Sequence, residues 1–162
     1  MRGMTEDDAR AALANASDGE RELMAVPTAF LILDWDHMDF VAWRDPRTRD
    51  RAYLIVELDG HPTGIVLRAA SGSSHARAGV CNICHTMQPA DQVTMFTARR
   101  GGTAGERGDG IGTYMCADLT CHDAVRLAAP LAPGEIRGDV NHRLDGTRRR
   151  AEDFVRRVLE DT

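Results

Sequence analysis

The sequence predicts an α+β fold: a small antiparallel sheet packed with a cysteine-bearing finger, short helices before it and one amphipathic helix after it. Three observations carry this expectation. Four cysteines fall in two close pairs, two β-rich runs flank an Asp-Gly turn, and apolar residues recur at helical spacing near the C-terminus. At 162 residues the chain is long enough to bury a core, and with 43% hydrophobic and 28% charged residues it belongs with folded rather than disordered chains. The expected organisation is a short helical segment over residues 1–28 and an α+β domain over 29–162. Within that domain the finger spans about 79–128 and the closing helix about 146–161.

The elements follow in order. Thr5-Glu6-Asp7-Asp8 is a capping-box-like start that also sets acids against the positive end of a helix, and a short helix should run to about Asn15. Ser17-Asp18-Gly19-Glu20 repeats the pattern before Leu23 and Met24, and Pro27 stops it. Trp35, Phe40 and Trp43 follow among acidic residues, and both tryptophans are expected to anchor the core. Arg51 to Glu57 and Gly64 to Arg68 are rich in β-branched and aromatic residues and are separated by Asp59-Gly60 and Pro62, the signature of a hairpin. Ala70 to Gly79 reads as a Ser/Gly/Ala linker.

Past the linker, a turn bearing Cys81 and Cys84 leads to a strand over Val93 to Ala98. A glycine-rich mobile loop over Arg99 to Gly112 and a strand to Cys116 come next. A helix then starts near Thr120 and ends before Pro130, and a looped stretch with Pro133-Gly134 precedes the last helix. There Ala151, Phe154, Val155, Val158 and Leu159 share one face and most arginines the other.

The cysteines carry the chemistry. In Cys81-Asn-Ile-Cys84 the two-residue spacing lets one tight turn aim both sulfurs at one ion while nearby N–H groups bond the thiolates. Cys116 and Cys121 fit a strand end and the first turn of a helix. The first seventeen residues read as too acidic and too weakly apolar for a secretory signal and no apolar run approaches bilayer length, so a cytoplasmic, reducing setting is expected, where thiolate–metal bonds are favoured over two disulfides. Four thiolates fill a tetrahedral Zn²⁺ shell and leave no open position, which makes one structural zinc the expected cofactor and places function elsewhere. Knuckle, β-hairpin and ligand-bearing helix, in that order, describe a treble-clef-like zinc finger. His85 and His122 each follow a cysteine but are not needed as ligands.

Other chemistries lack their residues. No His precedes a Glu by two positions, as a zinc deaminase requires, and H-E-x-x-H, P-loop, G-x-G-x-x-G and G-x-S-x-G patterns are absent. No enzymatic activity and no small-molecule substrate are therefore expected.

The stretch Cys81 to Arg126, with C-N-I-C-H-T, V-T-M-F, G-D-G-I-G-T-Y-M-C-A-D-L and Cys121, resembles the C-terminal treble-clef zinc finger of the elongation-factor-G-binding, fusidic-acid-resistance-type protein family. Asp36 to Glu57, including Asp39-Phe40, Ala42-Trp43-Arg44-Asp45-Pro46 and Arg51 to Val56, is similar to actinobacterial members more loosely. The resemblance implies a non-enzymatic protein that binds elongation factor G and, as in the resistance members, modulates its release from the ribosome, with Cys81, Cys84, Cys116 and Cys121 as zinc ligands. Val80, Arg99, Arg100, Arg107 and Tyr114, together with Phe154 on the last helix, are the candidate partner-binding residues, since aromatic and arginine anchors dominate interfaces. The alternative partner is rRNA or another nucleic acid, through Arg99, Arg100, Arg107 and Arg148 to Arg150. The net charge of −5 counts against that alternative.

Overall fold

The computed structural model describes residues 1–71, 78–127, 131–134 and 138–160. Its centre is a five-stranded antiparallel sheet, ordered β1-β2-β3-β6-β7, built from β1 (Phe40–Arg44), β2 (Arg51–Leu58), β3 (His61–Ala69), β6 (Val93–Arg99) and β7 (Gly110–Cys116). A separate ribbon pairs β4 (Ala78–Val80) with β5 (Met87–Pro89). The hairpin expected at Asp59-Gly60 is present: Leu58 opposes His61, and both turn residues take positive φ, 53° and 80°. That pair of left-handed residues is the two-residue turn whose twist suits a right-twisted hairpin.

The sheet is buried on both faces along β2 and β3, while β6 and β7 leave one face exposed. Ala52, Leu54, Val56 and Leu58 of β2 and Ile65 and Leu67 of β3 point to a core shared with the cysteines and with α5 (Val140–Leu159). Tyr53, Ile55 and Val66 point the opposite way, into a core formed with the N-terminal segment through Leu13, Met24, Phe30 and Trp43. Alternation along one strand thus feeds two cores, as a period of two requires.

The N-terminal layer is α1 (Glu6–Ala12), α2 (Asp18–Leu23) and two short 3-10 turns, Thr28–Ile32 and Trp35–His37. Both helices begin with complete capping boxes, Thr5 with Asp8 and Ser17 with Glu20, as the sequence predicts. Of the two tryptophans, Trp43 is buried and donates to the Ala25 carbonyl at 3.0 Å, while Trp35 is half-buried and meets Phe30 edge-on.

Asn15 occupies the gap where β3 and β6 part. The strands pair only at Arg68–Thr97 and Ala69–Phe96. Beyond that point Leu13 bridges Gly64 in parallel, and the Asn15 amide donates to the Val66 and Arg99 carbonyls while accepting from the Val66 N–H at 2.7 Å. The N-terminal segment therefore stands in for a missing stretch of ladder. Gly64 is required there, because a Cβ would lie 2.8 Å from Ile55 and 3.2 Å from Leu13.

Three expectations are corrected. The glycine-rich stretch is not an open loop: Gly102–Glu106 forms α3, and the Asp109 N–H bonds the Ala104 carbonyl. The last helix starts at Val140 rather than near 146, capped by Asp139, so Gly146 lies inside it. Before the first expected strand there is another, β1, whose first four residues are apolar and enclosed by both layers, with no polar alternation. Most of the Ala70 to Gly79 linker (72–77) and Ala128 of the expected helix lie outside the described residues.

Candidate metal centre

Each cysteine sits at the end of an element. Cys81 follows β4 and Cys84 closes the knuckle, Cys116 is the last residue of β7, and Cys121 is the first residue of the short helix α4 (Cys121–Ala124). Two left-handed residues shape the turns. His85, at φ 55°, follows the knuckle, with its N–H on the Cys81 carbonyl, and Leu119, at φ 63°, bends the chain between the second pair, with its N–H on the Cys116 carbonyl. Such φ values in residues other than glycine cost energy that the surrounding site must offset.

All four cysteines are buried and unbridged, and their sulfurs lie within 4.8 Å of one another. Cys81 to Cys121 and Cys84 to Cys116 are both 3.6 Å. A tetrahedron with metal–sulfur bonds of about 2.3 Å has sulfur–sulfur edges of about 3.8 Å. The donor set therefore fits one Zn²⁺, and it fills every position. The Ile83 and Cys84 N–H groups point to the Cys81 sulfur at 3.4 Å, and the Gln88 side-chain amide donates to the Cys116 sulfur at 3.0 Å. The buried Thr86 hydroxyl has no hydrogen-bond partner among the described residues.

Electrostatics point the same way. The neighbouring sulfurs of Cys116, Cys81 and Cys84, and then burial, push the Cys121 thiol upward. Four thiolates this close in a buried site need a dication, and binding one is part of folding. Arg150 ties α5 to the knuckle by donating to the Ile83 carbonyl at 2.7 Å. Sequence spacing did not reveal that link, since Arg150 reads as one of a solvated arginine run.

The six candidate contact residues do not converge. Val80 on β4 and half-exposed Tyr114 on β7 flank the knuckle, where the Asn82 N–H bonds the Tyr114 carbonyl at 2.8 Å. Arg99 is held by the Asn15 carbonyl and by Glu20, while Arg100 donates to the Glu160 carbonyl at the end of α5. Arg107 is exposed beside Asp109. Phe154 is fully buried under α5 and is corrected from a surface residue to a core residue; its place on the apolar stripe of that helix is the reason. His122 is half-buried against Phe40, and the ring sits outside the tetrathiolate set.

Among the described residues no helix is long and apolar enough to cross a membrane. A search of curated proteins and a search of solved structures returned no match. A family model described as the FBP C-terminal treble-clef zinc-finger matches residues 8–158, nearly the whole chain, and the chain belongs to that family.

Proposed function

We propose that this treble-clef protein is a non-enzymatic adaptor of the cytosol that binds elongation factor G and modulates its release from the ribosome. The observation that carries the non-catalytic part of this reading is the closed tetrathiolate. A zinc with four buried sulfur ligands has no position for water or substrate, so the ion holds a surface in shape rather than performing chemistry. The choice of partner rests on the resemblance of the finger's own sequence, from C-N-I-C-H-T to G-T-Y-M-C-A-D-L, to the factor-binding family. Val80 and Tyr114, which border the knuckle, and exposed Arg107 are the contacts this reading favours.

The test is capture of purified elongation factor G by the zinc-loaded protein after nuclease treatment. Capture that survives nuclease and falls at least five-fold in Tyr114→Ala supports the reading, whereas no capture by the folded, zinc-loaded protein overturns it. Steeply salt-dependent binding to rRNA instead would favour the nucleic-acid alternative.

A further inference from the structure

The sheet has two outer edges, and they differ. The β7 edge is met by the knuckle at the Tyr114 carbonyl and borders a polar cleft lined by arginines of α5, whereas the β1 edge opens into a mostly apolar cleft of about 370 Å³. Pro27 to Leu33 line one side of it and Asp118 to Asp123 the other, so the strand edge is set between the N-terminal layer and the metal-bearing layer.

Ladder geometry gives the direction of each backbone group on β1. The Asp45 N–H bonds the Arg51 carbonyl at 2.9 Å, which makes Asp45, Trp43 and Val41 the residues that bond β2. Phe40, Ala42 and Arg44 therefore turn their N–H and C=O groups into the cleft. Among the described residues, no backbone bond outside the ladders reaches these three. A row of unmet donors and acceptors beside an apolar cleft is a template for another strand.

The rim adds two more features. The 3-10 turn that walls the cleft exposes Leu31 and Ile32, at 69% and 82%, and Leu127 beyond the other wall is 63% exposed. Asp118 and Asp123 line the opening, and Asp39 acts on His122 in its wall. Two guanidiniums lie beside these carboxylates and keep their charge, Arg44 bonded to the Ala117 and Arg49 carbonyls and Arg126 to the His122 and His37 carbonyls, so the acidic side of the opening is the outer one at Asp118 and Asp123, both exposed.

We propose that the β1 edge is a docking site for one extended segment of a partner protein, which adds as a sixth strand, places alternate apolar side chains in the cleft and carries lysine or arginine at its flanks. Main-chain bonds to Phe40, Ala42 and Arg44 supply register, the apolar wall of Pro27, Ala29, Phe30 and Leu33 supplies the preference for alternation, and Asp118 and Asp123 on the other wall supply the preference for basic flanks. The two walls argue against a second copy of this chain as the occupant. A lone strand enters between them, but an identical sheet edge brings its own walls with it.

The site is separate from the knuckle surface favoured for elongation factor G, and its test contains no elongation factor, so the two readings fail independently. A displayed library of random dodecapeptides is selected against the zinc-loaded protein. The expected winners alternate apolar and polar residues with basic ends, protect the amides of Phe40, Ala42 and Arg44 from hydrogen exchange, and weaken as salt rises. Ala42→Pro removes an outward N–H without touching the β2 ladder and should weaken those peptides at least ten-fold. The double exchange Asp118→Lys with Asp123→Lys, both on exposed side chains, keeps the test decisive if the proline disturbs the strand, and should turn selection toward acidic flanks. No enriched alternating peptide, protection on another face, or an edge-mediated dimer in sedimentation that Ala42→Pro abolishes would each overturn the proposal.

Discussion

Asp45 gives the sharpest test of how the N-terminal layer is fastened. The residue is 1% exposed, and its carboxylate accepts from the Tyr53 hydroxyl at 2.7 Å and from the N–H groups of Arg47, Thr48 and Ala25 at 2.8, 3.2 and 3.3 Å. Burial alone would raise its pKa, but the Tyr53 hydroxyl and the three amides outweigh it and hold the carboxyl below its usual range. Burial, and then Asp45 itself, push the Tyr53 hydroxyl well above the ordinary tyrosine value. In Asp45→Asn one oxygen becomes an amide donor facing donors. The Tyr53 hydroxyl can turn to accept from it, but the Ala25 N–H cannot. One lost charge-assisted bond and one unmet buried N–H together cost about 3 kcal/mol at neutral pH, partly offset by the charge no longer buried.

For a chain of this size a loss of about 3 kcal/mol lowers Tm by roughly 6 to 12 °C. The assay is thermal unfolding of the wild type, Asp45→Asn, Tyr53→Phe and the double variant, with a coupling of about 1.5 kcal/mol expected because both lose the same charge-assisted bond, only a neutral one replacing it in Asp45→Asn. The pH dependence has a fixed sign. A pKa lowered in the folded state contributes stability that is full above the unfolded value and is lost as pH falls through the folded one. The deficit of the asparagine variant is therefore level from pH 8 to pH 5 and narrows only in stronger acid. A deficit under about 1 kcal/mol, or strictly additive effects, would refute the account.

The other predictions test separate parts of the fold. Gly60→Ala meets nothing within 4 Å, so its only penalty is the left-handed φ of 80°, and urea unfolding should show a loss of about 1 kcal/mol. Asn15→Ala removes three bonds between the β3 and β6 backbones, leaves the Val66 amide unmet, and should cost about 2 to 3 kcal/mol, read in the same way together with faster exchange of the Val66 amide. Metal analysis should find one zinc per chain in the wild type and none in Cys84→Ala or Cys116→Ala, whose near-ultraviolet circular dichroism should collapse, since the binding energy of a structural zinc rivals the stability of a whole domain. A zinc-free protein with native dichroism would contradict this.

What was legible in the sequence followed the strength of local signals. The hairpin showed because Asp59-Gly60 permits two positive φ values, and the helix starts showed because Thr5 and Ser17 stand three residues before an acid. The metal ligands showed because cysteine spacing is geometric. Strand β1 was hidden for a physical reason: Phe40 and Ala42 face one core while Val41 and Trp43 face the other, so no polar residue marks its outer side. Helix α3 was hidden because three glycines in six residues argue against helix, yet Gly105 is needed there, since a Cβ would lie 1.9 Å from the Arg100 carbonyl oxygen. The true start of α5 was hidden by Gly146, which looks like a boundary. The scatter of the candidate contact arginines was not readable at all, because it depends on which backbone carbonyls each one reaches after folding.

The two-sided sheet gives the zinc an influence beyond its own layer. β2 sends Leu54 and Val56 to the core that holds the cysteines, and Tyr53 and Ile55, from the same backbone, to the core that holds Trp43. A strand with side chains locked on both faces cannot lose its partners on one face without loosening the other, because rotation of one pleat moves both sets. The cleft at β1 has one wall from each layer, so its width depends on both cores at once. The turn between the second pair of cysteines supplies one wall of that cleft, from Asp118 to Asp123, and Asp45, through the Ala25 N–H, holds the chain that leads into Pro27 on the other.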